Sequence, residues 1–292
     1  MRENKKWNIL WIMLDHVTFR HYKKTEGARP ILPAYERLAR EGMEFTNCHS
    51  VHPLCLPARA SMLTGVYAHH HGKLDNGEFA DSGLPFYTDY LQQAGYRTGH
   101  FGKNHSGYEN FAEKGIEGFY PEGYGNPYHT PEYKKYLQKN GYGNPIFQQK
   151  WGMATGFGLK EGNVASEKRY ENGEYDLTET DNFNMYAGGI LKDTGRVHES
   201  DFLTSAALEW MEECAAEGQT FAVRVDMWGP HHAYQVPWEM KDLIDEKEIL
   251  EYPSFQEPPT EKAGMVQDFQ KRIWEKNPLH SWEDWQMLMK YA

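Results

Sequence analysis

Ile9-Leu-Trp-Ile-Met-Leu14, closed by Asp15-His16, is a continuous apolar run bounded by polar residues. Such a run without alternation suits a strand buried on both faces, as strands of parallel sheets are. The segments around it point the same way. Pro33 can open a helix, Tyr35, Leu38 and Ala39 give it an apolar face, and Gly42 closes it. Met43-Glu-Phe-Thr-Asn47 alternates like a strand. Thr88 to Ala94 fits a helix stopped by Gly95, and Tyr96 to Phe101 returns as a strand. This alternation predicts an α/β fold with a mainly parallel sheet sandwiched by helices.

Further along, Leu203, Ala206, Ala207, Trp210 and Cys214 follow helical spacing, with Ser200 as the expected N-cap. Phe221-Ala-Val-Arg-Val225 reads as a buried strand ending at Asp226. Ser281-Trp-Glu-Asp284 resembles a capping box and opens a helix bearing Trp285, Leu288 and Met289 on one side. From about 107 to 186 the regularity fails. That segment is rich in Gly, Tyr, Asn and Pro, with seven tyrosines between Tyr108 and Tyr142. It reads as a long surface excursion or as an aromatic-lined specificity loop. Residues 239–278 are acidic and contain prolines, as a surface connection would.

The 292 residues allow one large domain or two small ones. The net charge of -11, from 31 basic and 42 acidic residues, argues against nonspecific nucleic-acid binding but leaves room for a locally basic pocket. Three cysteines, Cys48, Cys55 and Cys214, are too few for a disulfide scaffold. The apolar run is too short for a secretion signal or a bilayer span, which predicts a soluble, cytoplasmic chain with no membrane partner.

Four segments beside expected strands carry unusual residues, where open α/β sheets bind ligands. Asp15 ends the first strand, as a hard-cation ligand or a helix cap. Cys55-Leu-Pro-Ala-Arg59 puts a cysteine at a helix N-terminus, with a forked cation close by in sequence. An inert buried cysteine is the plainer reading of Cys55. Lys103 and His105, two apart, point the same way on an extended segment. His231 follows a strand and a Gly-Pro turn.

Together these residues resemble the sulfatase family of the alkaline phosphatase superfamily. Cys55-Leu-Pro-Ala-Arg59 with Leu63-Thr-Gly65 looks like the signature Cys-x-Pro-Ser-Arg followed by Leu-Thr-Gly. Gly95-Tyr-Arg-Thr with Gly102-Lys-Asn-His105 looks like the second signature. His71-Gly72 with Asn76, the strand ending at Asp15, and Trp228-Gly-Pro-His231 also match in order and approximate spacing. The resemblance implies an alkaline phosphatase-like fold and hydrolysis of a small or carbohydrate sulfate ester. It implies oxidation of Cys55 to formylglycine by a formylglycine-generating enzyme. It casts Arg59 as the holder of that group and His105 as an aid to its deprotonation or its collapse. Lys103 and His231 would take part in catalysis, binding the sulfate oxygens and stabilising the leaving group, and Asn76 would also bind substrate. Asp15, His16 and the group at position 55 would hold a divalent metal, usually calcium (Ca2+). His16 stands where Asp, Gln or Asn is usual. Imidazole suits manganese (Mn2+) or zinc (Zn2+) better, so either the metal differs or His16 is not a ligand.

The resemblance stops short at the C-terminus. No Asp-His-Gly or Asp-Asn-Gly follows His231. This predicts the N-terminal part of a longer catalytic domain, without its last metal-ligand strand and subdomain. Three alternatives follow: a phosphonate monoester or phosphodiester hydrolase of the same superfamily, an inactive truncated fragment, or a zinc-binding protein built on His69-His-His71 and His231-His232. Adjacent histidines rarely satisfy one tetrahedral site, which weighs against the last.

Overall fold

The structure is a computed structural model that describes residues 6–17, 32–77, 79–109, 111–121, 125–152, 173–179, 187–264, 266–268, 271 and 281–292. Its elements run β1 (Ile9–Met13), α1 (Pro33–Glu41), α2 (Cys55–Thr64), α3 (Ala68–His71), α4 (Tyr87–Gln93), β2 (Arg97–Gly102) and β3 (Glu117–Phe119). They continue as α5 (Pro131–Asn140), β4 (Ile146–Gly152), β5 (Gly173–Asp176), β6 (Ala187–Leu191), α6 (Glu199–Ala216), β7 (Phe221–Asp226), β8 (Tyr234–Pro237) and α7 (Trp282–Met289). Among the described residues no helix is long and apolar enough to cross a membrane.

The chain divides into two units. The first holds a four-stranded sheet in the order β1-β7-β2-β3, parallel throughout. This is the expected mixed α/β architecture. Central β7 and β2 are buried along nearly their whole length, as inner strands of a covered parallel sheet are. Helix α6 packs against them. Gly99 of β2 has no side chain where the Trp210 ring lies, and a Cβ there would stand 3.0 Å from it. Ala60, Leu63, Phe86, Tyr108, Phe111 and Ile116 form the adjoining core.

Register fixes the working end of this sheet. Met13 and Gly102 both stand opposite Asp226, so three parallel strands end side by side. The segments leaving them carry Asp15 and Lys103.

The second unit has its own sheet, in the order β5-β4-β6-β8. Strand β4 is antiparallel to β5 and β6, and β8 is parallel to β6. Tyr128 and Tyr133 are buried here and stack edge to face at 5.2 Å.

Several expectations fail. β1 is an edge strand, not a fully buried one: among the described residues it pairs only with β7 and its residues are largely exposed. An apolar run records what residues would bury, not what lies over them. Met43 to Asn47 forms no strand, and Met43 and Phe45 stand exposed. Helix α6 begins at Glu199, so Ser200 lies in its first turn rather than at its cap. There Glu199 and Asp201 complement the positive end of the helix dipole. The irregular excursion expected from 107 contains β3, α5, β4 and β5 among its described residues. Residues 153–172 and 180–186 lie outside those described. The capping box of α7 is present as read, with Asp284 N donating to Ser281 Oγ at 3.2 Å.

Candidate active site

Helix α2 carries the first site residues. It is buried on nearly every side, so its hydrophobicity shows little amphipathic bias. Pro57 sits in the first turn, where its missing N–H costs nothing. The N-cap Leu54 offers no side-chain oxygen. Asn76 replaces it from a distant loop, its Oδ1 accepting the Leu56 N–H at 3.0 Å. The one site residue expected on the loop after α3 is thus placed at the helix that begins with Cys55. The loop is itself pinned. His71 Nδ1 accepts from Lys73 N at 3.1 Å, so Nε2 carries the proton and donates to Ser61 Oγ at 2.9 Å. This commits His71 and removes it from any zinc site with His69 and His70. Buried Lys73 donates to the carbonyls of Gly107 at 2.8 Å and Ala80 at 3.2 Å.

Cys55 and Arg59, four apart, share one face of α2. Arg59 Nη1 donates to Lys103 O and to Asp226 Oδ2, both at 2.7 Å, and its Nη2 stands 3.6 Å from Asp15 Oδ2. Lys103 Nζ pairs with Asp15 Oδ2. Cys55 Sγ lies 3.8 Å from Asp15 Oδ1. Lys103 can follow β2 this closely because Gly102 has φ 112°, a region glycine tolerates. A Cβ there would fall 2.0 Å from Asp226 O, which accepts Lys103 N–H at 2.9 Å.

The electrostatics follow from burial and these partners. Burial, then the Asp15 carboxylate, raises the Cys55 pKa above that of an ordinary thiol. Burial lowers the Lys103 pKa, against the pull of Asp15. His105 is lowered to about 4, first by burial and then by Lys103 and Arg59, so its imidazole is neutral at pH 7. Burial alone would raise Asp226. Arg224, His100 and Arg59 more than offset it and hold the carboxyl below its ordinary range.

The structure therefore brings Asp15, Cys55, Arg59, Lys103 and His105 into one cluster of the first unit. His16 and His231 belong to the second unit, where their rings lie 4.0 Å apart and His231 Nδ1 is 2.8 Å from His232 O. Sequence reasoning missed Asp226, Arg224 and Lys73 as site residues. The signal for two of them was present: Arg224 and Asp226 alternate within an otherwise apolar strand, and buried charges need partners. Of the expected metal ligands, Asp15 and Cys55 lie together. Both carboxylates of the cluster are committed to basic side chains, whereas calcium takes six to eight oxygens. The described donors of this unit do not fit a tightly held calcium ion.

A family model described as Sulfatase matches residues 7–241. The N-acetylglucosamine-6-O-sulfatase of Bacteroides thetaiotaomicron is 31% identical over 156 residues, 51% of this chain and 27% of that protein. The choline-sulfatase of Rhizobium meliloti is 29% identical over 170 residues, 57% of this chain and 31% of that protein. The phosphonate monoester hydrolase of Silicibacter pomeroyi superposes with a TM-score of 0.66 at 17% identity, over 98% of this chain and 55% of that one. That likeness shows a shared fold. The chain spans about half the length of this solved structure, and its aligned stretches cover under a third of the two relatives.

Proposed function

The chain belongs to the sulfatase family, and on that premise we propose that it hydrolyses a sulfate ester of a small molecule or carbohydrate, with Cys55 as precursor of its nucleophile. The observation that carries this reading is the convergence of Cys55, Arg59 and Lys103 on one largely buried patch at a helix N-terminus. Helix N-termini and paired cations attract anions. As a thiol, Cys55 is a poor nucleophile, because burial and Asp15 keep it protonated. This suits a residue whose reactive form is made by oxidation. Formylglycine, when formed there, supplies an oxygen nucleophile.

The chain's own residues do the rest. Arg59, fixed by Asp226 and the Lys103 carbonyl, orients the group at position 55 from one turn away. The Lys103 ammonium offsets charge that grows on the ester oxygens. Neutral His105 accepts a proton at position 55. Asn76 secures the end of α2 on which this geometry rests. The roles expected of His16 and His231 rest on the family resemblance alone. Two relatives are named for a sulfated sugar and for choline sulfate, which supports that substrate class.

The test is production alongside a formylglycine-generating enzyme, followed by mass spectrometry of tryptic peptide 41–59 and rates on aryl sulfate and aryl phosphonate esters. The expected result is an aldehyde at Cys55, faster sulfate turnover, and no turnover by Cys55→Ala. Turnover retained by Cys55→Ala overturns the nucleophile. Faster phosphonate turnover moves the chain to the phosphonate hydrolase reading.

A further inference from the structure

We propose that Asp226 is a positioning residue of this reaction: its carboxylate, clamped by Arg224, fixes the Arg59 guanidinium, and its carbonyl fixes Lys103. The inference rests on the hydrolase reading above. Arginine's side chain loses roughly 2 kcal/mol of rotamer freedom when held in one geometry. Holding it therefore needs rigid acceptors. Asp226 is such an acceptor. It ends β7, with β1 on one side and β2 on the other, and it is fully buried.

A lone buried carboxylate would be costly, so its own environment must be built. Arg224 supplies it. Two residues back on the same strand face, its Nε donates to Asp226 Oδ1 at 2.7 Å. The Arg224 guanidinium lies 4.6 Å over the Trp11 ring and reaches the sulfur of Met13 at 3.5 Å. Trp11, Arg224, Asp226 and Arg59 thus form a continuous stack of contacts ending one helical turn from Cys55.

Charge decides what the stack does. Arg59, Arg224 and Lys103 face two carboxylates, Asp15 and Asp226. One positive charge is left over, which suits a singly charged sulfate ester. With Asp226 made neutral, two are left over. Arg59 then finds its nearest remaining carboxylate at Asp15, 3.6 Å away and already paired with Lys103. Anion binding would persist or tighten, while the guanidinium that orients position 55 would shift.

The test compares Asp226→Asn, Asp226→Glu and Arg59→Lys, alone and combined, after oxidation of Cys55. Asp226→Asn is expected to lower kcat about 50-fold or more with KM unchanged or lower, since a shift of about 1 Å can cost about two orders of magnitude. Because Asp226 acts through Arg59, adding Asp226→Asn to Arg59→Lys is expected to cost less than about 3-fold more. Effects that multiply, or kcat within about 3-fold of wild type, overturn the proposal. Should Asp226→Asn fail to fold, Asp226→Glu keeps the charge but moves the oxygens, and the same criteria apply to it. A wild type that turns over neither ester fails the hydrolase reading instead. Crystal structures of wild type and the folded Asp226 variant then decide the positioning claim. An Arg59 guanidinium displaced by about 1 Å or more supports it, and an unmoved one overturns it.

Discussion

His100 shows how far burial in this sheet governs a single side chain. It stands on β2 opposite Arg224, is 3% exposed, and packs against Phe111. Burial first, with Arg224 and Arg59 adding to it, lowers its pKa from 6.5 to about 4, although Asp226 pulls the other way. The folded state thus refuses a proton that the unfolded chain accepts below about pH 6.5. Stability is full above that pH and falls as acid is added down to about 4. The shift converts to about 3 kcal/mol at about 1.36 per unit. His100→Gln is expected to flatten the fall of unfolding free energy between pH 7 and 4.5, measured by denaturant titration. An unchanged slope would assign the acid sensitivity to other groups. His105 shares the direction and keeps its own part in the variant. At this scale the grouping of Cys55, Arg59, Lys103 and His105 was legible, because motif spacing survives without any tertiary knowledge. Asp226 was not, since an acid closing a strand looks the same whether it clamps an arginine or meets solvent.

The element that most constrains the site is the junction of β2 with β7. Gly102 has φ 112° and no room for a Cβ, which would meet Asp226 O at 2.0 Å. Gly65, closing α2 at φ 73°, has nothing within 4 Å of where its Cβ would stand. The pair separates backbone conformation from steric crowding. Gly65→Ala is expected to cost about 1 kcal/mol, the left-handed penalty alone. Gly102→Ala adds strand separation and is expected to cost more than about 3 kcal/mol, or to prevent folding. Equal denaturation midpoints for the two variants would contradict the close approach. The local signals that found β2, β7, α1, α2, α4 and α7 were caps, Pro at a first turn, Gly at a last, and apolar period. They failed where pairing is non-local. The alternation of Met43 to Asn47 has no partner strand among the described residues, and the second sheet is assembled from short strands separated by long stretches of chain. The tyrosines of that region read as a loop by composition, yet Tyr108, Tyr128 and Tyr133 are core residues.

At the scale of the whole molecule, two tendencies oppose each other. A net charge of -11 keeps copies apart. Against it stands β1, which among the described residues pairs only with β7, has no charged residue between Asn8 and Asp15, and leaves Ile9, Leu10, Ile12 and Leu14 exposed. Natural edges are guarded by charges, prolines or bulges, and a bare apolar edge is a template for pairing. Repulsion between like-charged copies is long-ranged and screened, with a Debye length of about 10 Å at 0.1 M salt and about 3 Å at 1 M. Apolar edge pairing is short-ranged and is not weakened this way. Self-association of the 292-residue chain is therefore expected to rise with salt and to depend on β1. Ile12 is 56% exposed, so Ile12→Lys removes little buried surface and is expected to change stability by less than about 0.5 kcal/mol. The same substitution places a guarding charge mid-strand. Sedimentation velocity at low and high salt is expected to show the wild type gaining larger species as salt rises, while Ile12→Lys stays unchanged. Equal association by both proteins would place the sticky surface elsewhere, and loss of association together with a lowered denaturation midpoint would mean that Ile12 is packed rather than exposed.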